Sequence, residues 1–595
     1  MHLRCSCLLT LGLVSCCVAP LCAQTAPDAQ AGVSVLKANA LAVAVDVVVT
    51  RGNGEPVLSL RKQDFQVLED GKPQPIDLFE EHTAATSTPT VTPQQLPPHV
   101  YTNLPAAPQS DSVNVLLLDS LNTEKPDQAY VRKQIVDFLR NIQPGTRVAI
   151  FTLSTRLRLV QGFTADSLLL KAALNSDAVA PGVTAASRTR DDDLRDKEEL
   201  SIIGEMSNTK GAESEAPLAA ISRSMADHAD VQGGQRASLT LAALDQLARS
   251  LAAIPGRKNL IWFASSFPIS IFPNGSNRQT LSNGREIGDA VRQTAHLLTQ
   301  SKVALYPVSA QGILLDRTTN ADSGGQPEGD DFEKAPQQEG AANAANAAAM
   351  EQLAADTGGE ALYTSNNLSQ AMARAIENGS HYYTLVYTPP STEMDGKFHR
   401  IEVKLTEGKA KLSYRRGYYA DKASGAKPAS DPLPPLLARG MPNSTQILYQ
   451  ARVLPASPQP APGAPRTGGN TKLAGTLARY KVDFVIPAGG VALDPAPNGM
   501  HTGTIEVALV AYDHDGAAVN WTGNTLAISL NAASYAQVQR SGLPAHLEID
   551  LPNADVYLAT GVYDWGSRKS GTLEIPLSSV AAATTYAPPM ATETR

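Results

Sequence analysis

The sequence lacks cysteine beyond residue 22, since all five cysteines lie at the amino terminus. They fall in a segment that has a short basic start and an apolar stretch from Leu8 to Leu21. This pattern predicts a secretory signal peptide over residues 1–23, because the apolar run is too short for a membrane-spanning helix. Its removal would leave at most a few thiols at the start of the chain. Catalytic cysteines, cysteine zinc sites, iron–sulfur clusters and disulfide frameworks are therefore excluded from the exported protein.

Two processing routes fit this amino terminus. Cleavage after Ala23 would leave Gln24 as the first residue of a free protein. Alternatively, the residues up to Cys16 (Leu-Val-Ser-Cys) resemble the lipobox of bacterial lipoproteins, in which the cysteine carries the lipid anchor. The first route predicts a protein of the periplasm, cell surface or medium, and the second an outer-membrane lipoprotein. No later apolar run is long enough to span a membrane, so no transmembrane span is expected.

Charge is also scarce. Charged residues make up 18% of the 595 residues and the formal net charge is −8, with no basic patch. This balance argues against a protein dedicated to nucleic-acid binding. The hydrophobic fraction of 43% is that of a globular chain, and the length predicts several domains.

The common catalytic motifs are missing as well. The sequence contains no HExxH, no P-loop, no GxSxG elbow and no glycine-rich dinucleotide fingerprint, and its ten histidines are scattered. We therefore expect no catalytic residues. A hydrolase whose catalytic residues lie far apart in the sequence is the least favoured of three functional hypotheses. It stays open because sequence spacing does not reveal such a site.

Changes in the hydrophobic pattern divide the chain into segments. Strands and helices alternate in the middle of the chain, whereas strands separated by Gly or Pro turns flank this region. The predicted segments are the signal peptide (1–23), a small β module (33–83), a Pro-rich linker (84–111), an α/β domain (112–380) with insertions at 177–236 and 316–346, a β extension (381–420), a second linker (421–438) and a β-sandwich (439–580).

Four strands of the α/β domain are predicted to be buried on both faces. Their sequences are almost continuously apolar, as in parallel sheets that helices cover on both sides. They are Val113–Leu118, Arg147–Leu153, Asn259–Ala264 and Val303–Val308.

Polar residues follow the first of these strands. Asp119 comes directly after it, and hydroxyl groups follow at Ser120 and Thr123. Ligands of open α/β sheets bind beyond the carboxyl ends of the strands, and oxygen ligands of this kind suit a hard cation such as Mg²⁺.

At this point the sequence resembles a known family, the von Willebrand factor type A domains, and more specifically the acidobacterial VWFA-related secreted proteins. The resemblance extends from about residue 40 to 420. It implies a Rossmann-like α/β fold with a doubly wound, mostly parallel sheet, here flanked by β modules and followed by the β-sandwich. The segments that carry it are Asp64-Phe65 with Glu69-Asp70-Gly71, Leu117–Thr123, Thr240–Leu244, Pro255–Trp262, Tyr306-Pro307-Val308, Thr357-Gly358-Gly359 and Tyr387-Thr388-Pro389 with Asp395–Phe398.

The resemblance also implies a metal-ion-dependent adhesion site of the pattern Asp-x-Ser-x-Ser, completed by a Thr from a second loop and an Asp from a third. Asp119, Thr123 and Thr240 match the first, last and second-loop positions. Leu121 stands where the middle hydroxyl is expected, and no carboxylate lies near residues 264–267. The prediction is thus a degenerate site for Mg²⁺ or Mn²⁺. In the alternative interpretation, Asp119 and Thr123 only cap the following loop and helix.

The expected function is that of an exported, non-enzymatic protein that mediates protein–protein binding or adhesion through the top of the sheet. The sequence does not identify the protein partner. A metal-free structural or assembly scaffold of the cell envelope is the alternative. Both expectations rest on a likeness at the level of the fold.

Overall fold

A computed structural model describes twelve stretches of the chain, all of them within one compact unit, Ala42–Arg595. The signal peptide, Cys16 and Gln24 lie outside the described residues, as do nearly all of the two predicted insertions. The described ranges are 42–83, 96–104, 112–175, 234–265, 280–310, 347–362, 367–389, 397–420, 432–456, 465–473, 476–514 and 516–584.

Five short strands precede the α/β domain. A turn of 3-10 helix at Lys62–Asp64 leads into the second strand, and Asp70-Gly71 forms the tight turn after it. These strands are β1 (Val43–Thr50), β2 (Phe65–Glu69), β3 (Lys72–Gln74), β4 (Leu78–His82) and β5 (Val100–Thr102).

The α/β domain alternates strands and helices, as its hydrophobic pattern predicts. Its strands are β6 (Ser112–Asp119), β7 (Val148–Leu153), β8 (Leu157–Thr164), β9 (Arg257–Ala264) and β10 (Val303–Ser309). Its helices are α1 (Lys125–Arg140), α2 (Ser167–Leu174), α3 (234–251), α4 (Thr280–Gln300), α5 (347–357) and α6 (Leu368–Ser380).

These five strands form one mixed sheet in the order β10-β9-β6-β7-β8. Neighbouring strands from β10 to β7 run parallel, and only β8, at the edge, runs antiparallel. Helices α3, α4 and α5 pack on one face of the sheet, and α1, α2 and α6 pack on the other. Burial on both faces explains the almost uninterrupted apolar sequences of β6 and β9.

The small β module and the β extension, which the sequence places nearly 300 residues apart, pair with each other. The extension comprises β11 (Tyr382–Tyr387), β12 (Phe398–Leu405), β13 (Lys411–Ser413) and β14 (Gly417–Tyr419). Two sheets result, in the orders β13-β1-β11-β4 and β14-β12-β2-β3. Each segment thereby supplies the hydrogen-bond partners that the other segment's strand edges need.

Two antiparallel sheets follow, in the region predicted as a β-sandwich, and they share one hydrophobic core. Their orders are β20-β16-β15-β5 and β17-β18-β21-β22, with β19 paired to β18. The elements are α7 (Leu433–Leu436), β15 (Gln450–Pro455), β16 (Leu477–Ile486), a 3-10 turn (Ala488–Gly490), β17 (Asp494–Pro495), β18 (His501–Tyr512), β19 (Ala518–Leu530), α8 (Ala532–Ser541), β20 (Leu543–Pro552), β21 (Tyr557–Asp564), β22 (Ser570–Pro576) and α9 (Leu577–Thr584).

The Pro-rich segment predicted as a linker contributes to one of these two antiparallel sheets. Its residues 100–102 form β5, which pairs with β15. The next residue, Asn103, is buried and binds three backbone groups of the stretch 444–449. This part of the segment is thus a fixed piece of the sheet, because its backbone groups find partners there.

The structure is mixed α/β overall, with one mostly parallel sheet and many antiparallel strands.

Candidate functional site

The predicted site lies where the strand order of the parallel sheet reverses. β6 has β7 on one side and β9, which comes later in the chain, on the other. Asp119 ends β6, and the neighbouring β9 ends at Ala264. Strands β6 and β9 therefore meet at a topological switch point, the usual place for a ligand crevice in an open α/β sheet.

Asp119 is buried and accepts four hydrogen bonds. Its Oδ1 accepts the backbone N–H groups of Leu121 and Asn122, each at 3.0 Å. Its Oδ2 accepts the side-chain amide of Asn122 at 2.7 Å and the indole N–H of Trp262 at 2.9 Å. A carboxylate offers about four acceptor positions, so the protein itself occupies them all.

The carboxyl group of Asp119 is harder to ionise than usual. Burial raises its pKa to about 6, although the hydrogen bonds from Asn122, Trp262 and Leu121 act in the opposite direction. The environment is thus apolar enough to penalise the negative charge, and four dipoles offset only part of that penalty.

Thr240 lies close to Asp119, but not on a loop. It sits inside helix α3, so the loop position that the resemblance implies for this threonine is not observed. Its Oγ1 accepts the side-chain amide of Asn122 at 2.9 Å and donates to the carbonyl of Arg236, one helical turn earlier, at 2.8 Å. Asn122 therefore joins Asp119 to Thr240 through a single NH₂ group.

Thr123 follows Asn122 in the same loop and is also buried. Its Oγ1 has no hydrogen-bond partner in the described part of the chain, so the predicted capping role of this hydroxyl is not seen there. Asp119, in contrast, does hold the loop, since its Oδ1 accepts two backbone N–H groups in an Asx-type turn.

The other two positions of the metal-site pattern have structural roles. Leu121, which replaces the middle hydroxyl, is 2% exposed and belongs to the apolar core on one face of the sheet. Ser265, at the end of β9, donates its hydroxyl to Asp127 of helix α1 at 2.6 Å. Neither position supplies a charged ligand towards Asp119.

As arranged, these residues do not fit a resident cation. A hard cation needs several free oxygen atoms, of which some are usually charged. Here the one carboxylate is saturated, and an amide NH₂ group links the two oxygen atoms that a metal would bridge. A cation would have to displace Asn122 or Trp262. The magnesium or manganese assignment stays a prediction.

The pattern alone did not assign roles to Asn122 and Trp262. Both lie in segments that carry the family resemblance, but the buried strand predicted at Asn259–Ala264 indicates only core packing for Trp262. One physical indication existed, because a buried indole N–H almost always finds an acceptor. Strand β9 pairs with β6, and Asp119 is the only charged residue of β6.

No protein-family model matches this chain, and no curated protein matches it. Three solved structures resemble it in part. An aerotolerance-related membrane protein from Bacteroides fragilis is 10% identical, with a TM-score of 0.22, and the match covers 44% of this chain and 98% of that one. A von Willebrand factor type A protein from Catenulispora acidiphila is 10% identical, with a TM-score of 0.22, over 60% of this chain and 75% of that one.

The third is the type V pili tip protein Mfa5 from Porphyromonas gingivalis, of which three amino-terminal domains were solved. It is 10% identical, with a TM-score of 0.22, and the match covers 84% of this chain and 77% of that one. At TM-scores this low, none of these likenesses carries an argument about this chain. Among the helices in the described ranges, none has both the length and the apolar character needed to cross a membrane.

Proposed function

We propose that this chain is an exported, non-enzymatic protein of the von Willebrand type A kind, which binds a protein partner through the carboxyl edge of its parallel sheet without a resident metal ion. The family assignment is supported by the sequence resemblance. The sheet is consistent with it, because the resemblance implies a mostly parallel sheet covered by helices on both faces.

The metal-free character rests on one observation, the four hydrogen bonds that Asp119 accepts. A preformed cation site keeps its carboxylate oxygens available. Here the oxygens of Asp119 accept hydrogen bonds from an indole N–H and three amide N–H groups. The site is therefore suited to fix the loop after β6, which lies at the edge where a partner would bind.

The position of the proposed binding surface is supported by the strand directions. Strands β6, β9 and β10 run parallel, so their carboxyl ends at Asp119, Ala264 and Ser309 lie along one edge of the sheet. The loop that Asp119 holds lies at this edge. Binding residues are commonly carried by loops on a rigid scaffold.

A metal titration tests whether the site around Asp119 lacks a resident metal ion. Unfolding is followed by thermal shift with Mg²⁺ and Mn²⁺, for the unchanged chain and for Asp119→Ala. We expect no rise in the melting temperature that depends on Asp119, because nothing around Asp119 in the native state binds either ion preferentially. A rise that Asp119→Ala abolishes would instead favour metal-dependent adhesion, the second candidate, which is supported by the buried hydroxyl of Thr123, since it has no hydrogen-bond partner among the described residues.

A pull-down tests whether the carboxyl edge of the parallel sheet binds a protein partner. The two ends of helix α1 provide matched variants, since Lys125 lies at the carboxyl edge of the sheet and Arg140 at the opposite edge, and both are exposed. Partners are cross-linked in envelope extracts with and without chelator. We expect Lys125→Glu to weaken capture, Arg140→Glu to leave it unchanged, and chelator to have no effect. Equal effects of the two variants, or no partner at all, would favour the metal-free scaffold.

A further inference from the structure

A second group of potential ligands lies far from Asp119, in the β module. Glu69 is the last residue of β2, and Asp70 opens the tight turn that follows. Strand β12 pairs with β2 so that Ile401 lies opposite Glu69. His399, two residues before Ile401, is therefore on the same face of the sheet as Glu69.

Glu69 is buried, and only one of its two carboxylate oxygens accepts hydrogen bonds from the described residues. The side chain is 6% exposed. Its Oε2 accepts the hydroxyl of Tyr387 at 2.5 Å and that of Tyr418 at 3.2 Å. Its Oε1 accepts no hydrogen bond from any described residue, and Nδ1 of His399 lies 3.9 Å from it. The two tyrosines thus orient the carboxylate so that its unused oxygen is directed at the imidazole.

The other two groups are held in place and are partly open to solvent. Nδ1 of His399 lies 2.9 Å from Oδ2 of Asp70, and its ring stacks on that of Tyr418. Oδ1 of Asp70 accepts the backbone N–H of Arg400 at 2.8 Å. The side chain of Asp70 is 49% exposed and that of His399 is 19% exposed, which leaves a path by which an ion can enter.

We propose that Glu69, Asp70 and His399 form a binding site for a divalent transition-metal ion, for which Zn²⁺ is the best candidate. One ligand atom from each residue lies within 4.8 Å of the others. Two ligands of a tetrahedral zinc ion are roughly 3.4 Å apart, which lies between the 2.9 Å and 3.9 Å separations seen here. Two carboxylates and an imidazole leave the fourth position to water.

The donor set distinguishes this site from one for Mg²⁺ or Ca²⁺. Those ions prefer oxygen ligands throughout, whereas imidazole favours zinc and its neighbours among the transition metals. The hydrogen bonds from Tyr387 and Tyr418 to Glu69 are the outer contacts that usually orient a metal-binding carboxylate.

The bound ion would connect distant parts of the chain. Asp70 and His399 are separated by 329 residues, and they belong to the small β module and the β extension respectively. An ion held by both would clamp these segments together and would stabilise the native state, since the unfolded chain does not bring the ligands together. This proposal is independent of the function proposed for the carboxyl edge of the parallel sheet.

The test measures zinc binding to the full chain, with its five amino-terminal cysteines changed to Ser so that thiols do not compete. Calorimetric titration with Zn²⁺ is run beside Mg²⁺ and Ca²⁺, and Co²⁺ is added separately to record its visible absorption. We expect one Zn²⁺ per chain, a higher melting temperature with Zn²⁺ but not with Mg²⁺ or Ca²⁺, and a tetrahedral Co²⁺ spectrum.

Variants identify the ligands. His399→Asn and Asp70→Asn each remove a metal ligand but keep hydrogen-bonding groups, and we expect each to weaken Zn²⁺ binding by at least about tenfold. The control is His546→Asn, because His546 also pairs with a carboxylate, Asp483, at 2.8 Å on the surface of the sheet that contains β16 and β20. That variant should bind Zn²⁺ as the unchanged chain does.

Two results would overturn the proposal. One is the absence of Zn²⁺ binding by the unchanged chain, which would leave the cluster as an ion pair. The other is Zn²⁺ binding that survives both His399→Asn and Asp70→Asn. Should His399→Asn unfold in chelator, as circular dichroism would show, the variant of the half-exposed Asp70 decides the outcome.

Discussion

The indole N–H of Trp262 donates a hydrogen bond to Oδ2 of Asp119 across 2.9 Å, and both side chains are buried. The bond joins the middle of strand β9 to the end of strand β6, at the point where the sheet reverses its order. It places a hydrogen-bond donor on the carboxylate for which the sequence resemblance implies a metal ion.

The first prediction concerns the pH dependence of stability. Burial raises the pKa of Asp119 to about 6, so the folded state favours the protonated carboxyl more than the unfolded state does. The contribution of Asp119 to the free energy of unfolding is therefore complete below about pH 4. It falls by roughly 3 kcal/mol as the pH rises through 6.

Urea unfolding at several pH values, compared between the unchanged chain and Asp119→Asn, measures this difference. Fluorescence of Trp262, with Trp521→Phe and Trp565→Phe as background, should change with a midpoint near pH 6 and lose that midpoint in Asp119→Asn. A flat difference between pH 4 and 7 would contradict the prediction.

The second prediction concerns Asn122. Asn122→Asp replaces the amide that donates to Asp119 with a second carboxylate at the same place. Without a cation, repulsion between the two buried charges should lower the free energy of unfolding by about 2 kcal/mol or more. Added Mg²⁺ or Ca²⁺ should restore part of this loss, because the site then has the two charges that the native residues lack.

Asn122→Ala is the matched control for that variant, since it removes the same hydrogen bonds without adding charge. Thermal shift with increasing Mg²⁺ should raise the melting temperature of Asn122→Asp alone. An equal rise in Asn122→Ala or in the unchanged chain would mean that the cation binds elsewhere.

The third prediction concerns Gly359, which follows helix α5 and lies against strand β10. A Cβ atom at this position would stand 1.8 Å from the carbonyl oxygen of Leu305. We expect Gly359→Ala to cost about 3 kcal/mol or more, because two backbone segments would have to separate inside the core.

Gly162→Ala in strand β8 is its control, since nothing lies within 4 Å of a Cβ there. That variant should change the free energy of unfolding by less than about 0.5 kcal/mol. Urea denaturation measures both, and similar midpoints for the two variants would show that the contact at Gly359 relaxes easily.

The fourth prediction concerns Asn103, in the segment that the sequence marks as a linker. Its Nδ2 donates to the carbonyls of Ser444 at 2.9 Å and Ile447 at 2.8 Å, and its Oδ1 accepts the N–H of Tyr449 at 2.9 Å. Asn103→Ala leaves these buried groups unpaired and should cost about 3 kcal/mol.

The comparison for Asn103 is Asn141→Ala, which removes one long, exposed hydrogen bond of 3.4 Å and should be nearly neutral. Limited proteolysis should also cut Asn103→Ala faster within residues 84–104 than it cuts the unchanged chain. Equal cleavage rates would show that Asn103 does not hold this segment.

The sequence predicts individual elements well. The strand expected at Val113–Leu118 is observed at Ser112–Asp119. The sequence of residues 347–357, followed by Gly358-Gly359, predicts a helix, and a helix is observed over those residues. Both depend on local features, an apolar run of fitting length and a glycine pair after the helix. Such features act within a few residues, so they are visible without the fold.

The pairing of strands that lie far apart in the sequence is harder to predict. Val45 lies opposite Leu385, and Glu69 lies opposite Ile401, yet neither strand shows in its own sequence which partner it takes. Backbone hydrogen bonds are the same for every residue type, so apolar alternation predicts a strand but not its neighbour. For this reason the two β segments appear as separate modules in the sequence.

From the amino-acid sequence alone it follows that thiols are confined to the first 22 residues, that an α/β region lies between β-rich segments, and that Asp119 ends the first strand of that region. The surroundings of Asp119 depend on the tertiary structure. Trp262 comes from the adjacent strand and Thr240 from a packed helix, and each approaches because burial of apolar faces brings β9 and α3 against β6. A residue's type limits the chemistry it can perform, but its neighbours in the folded core determine which of its atoms remain available.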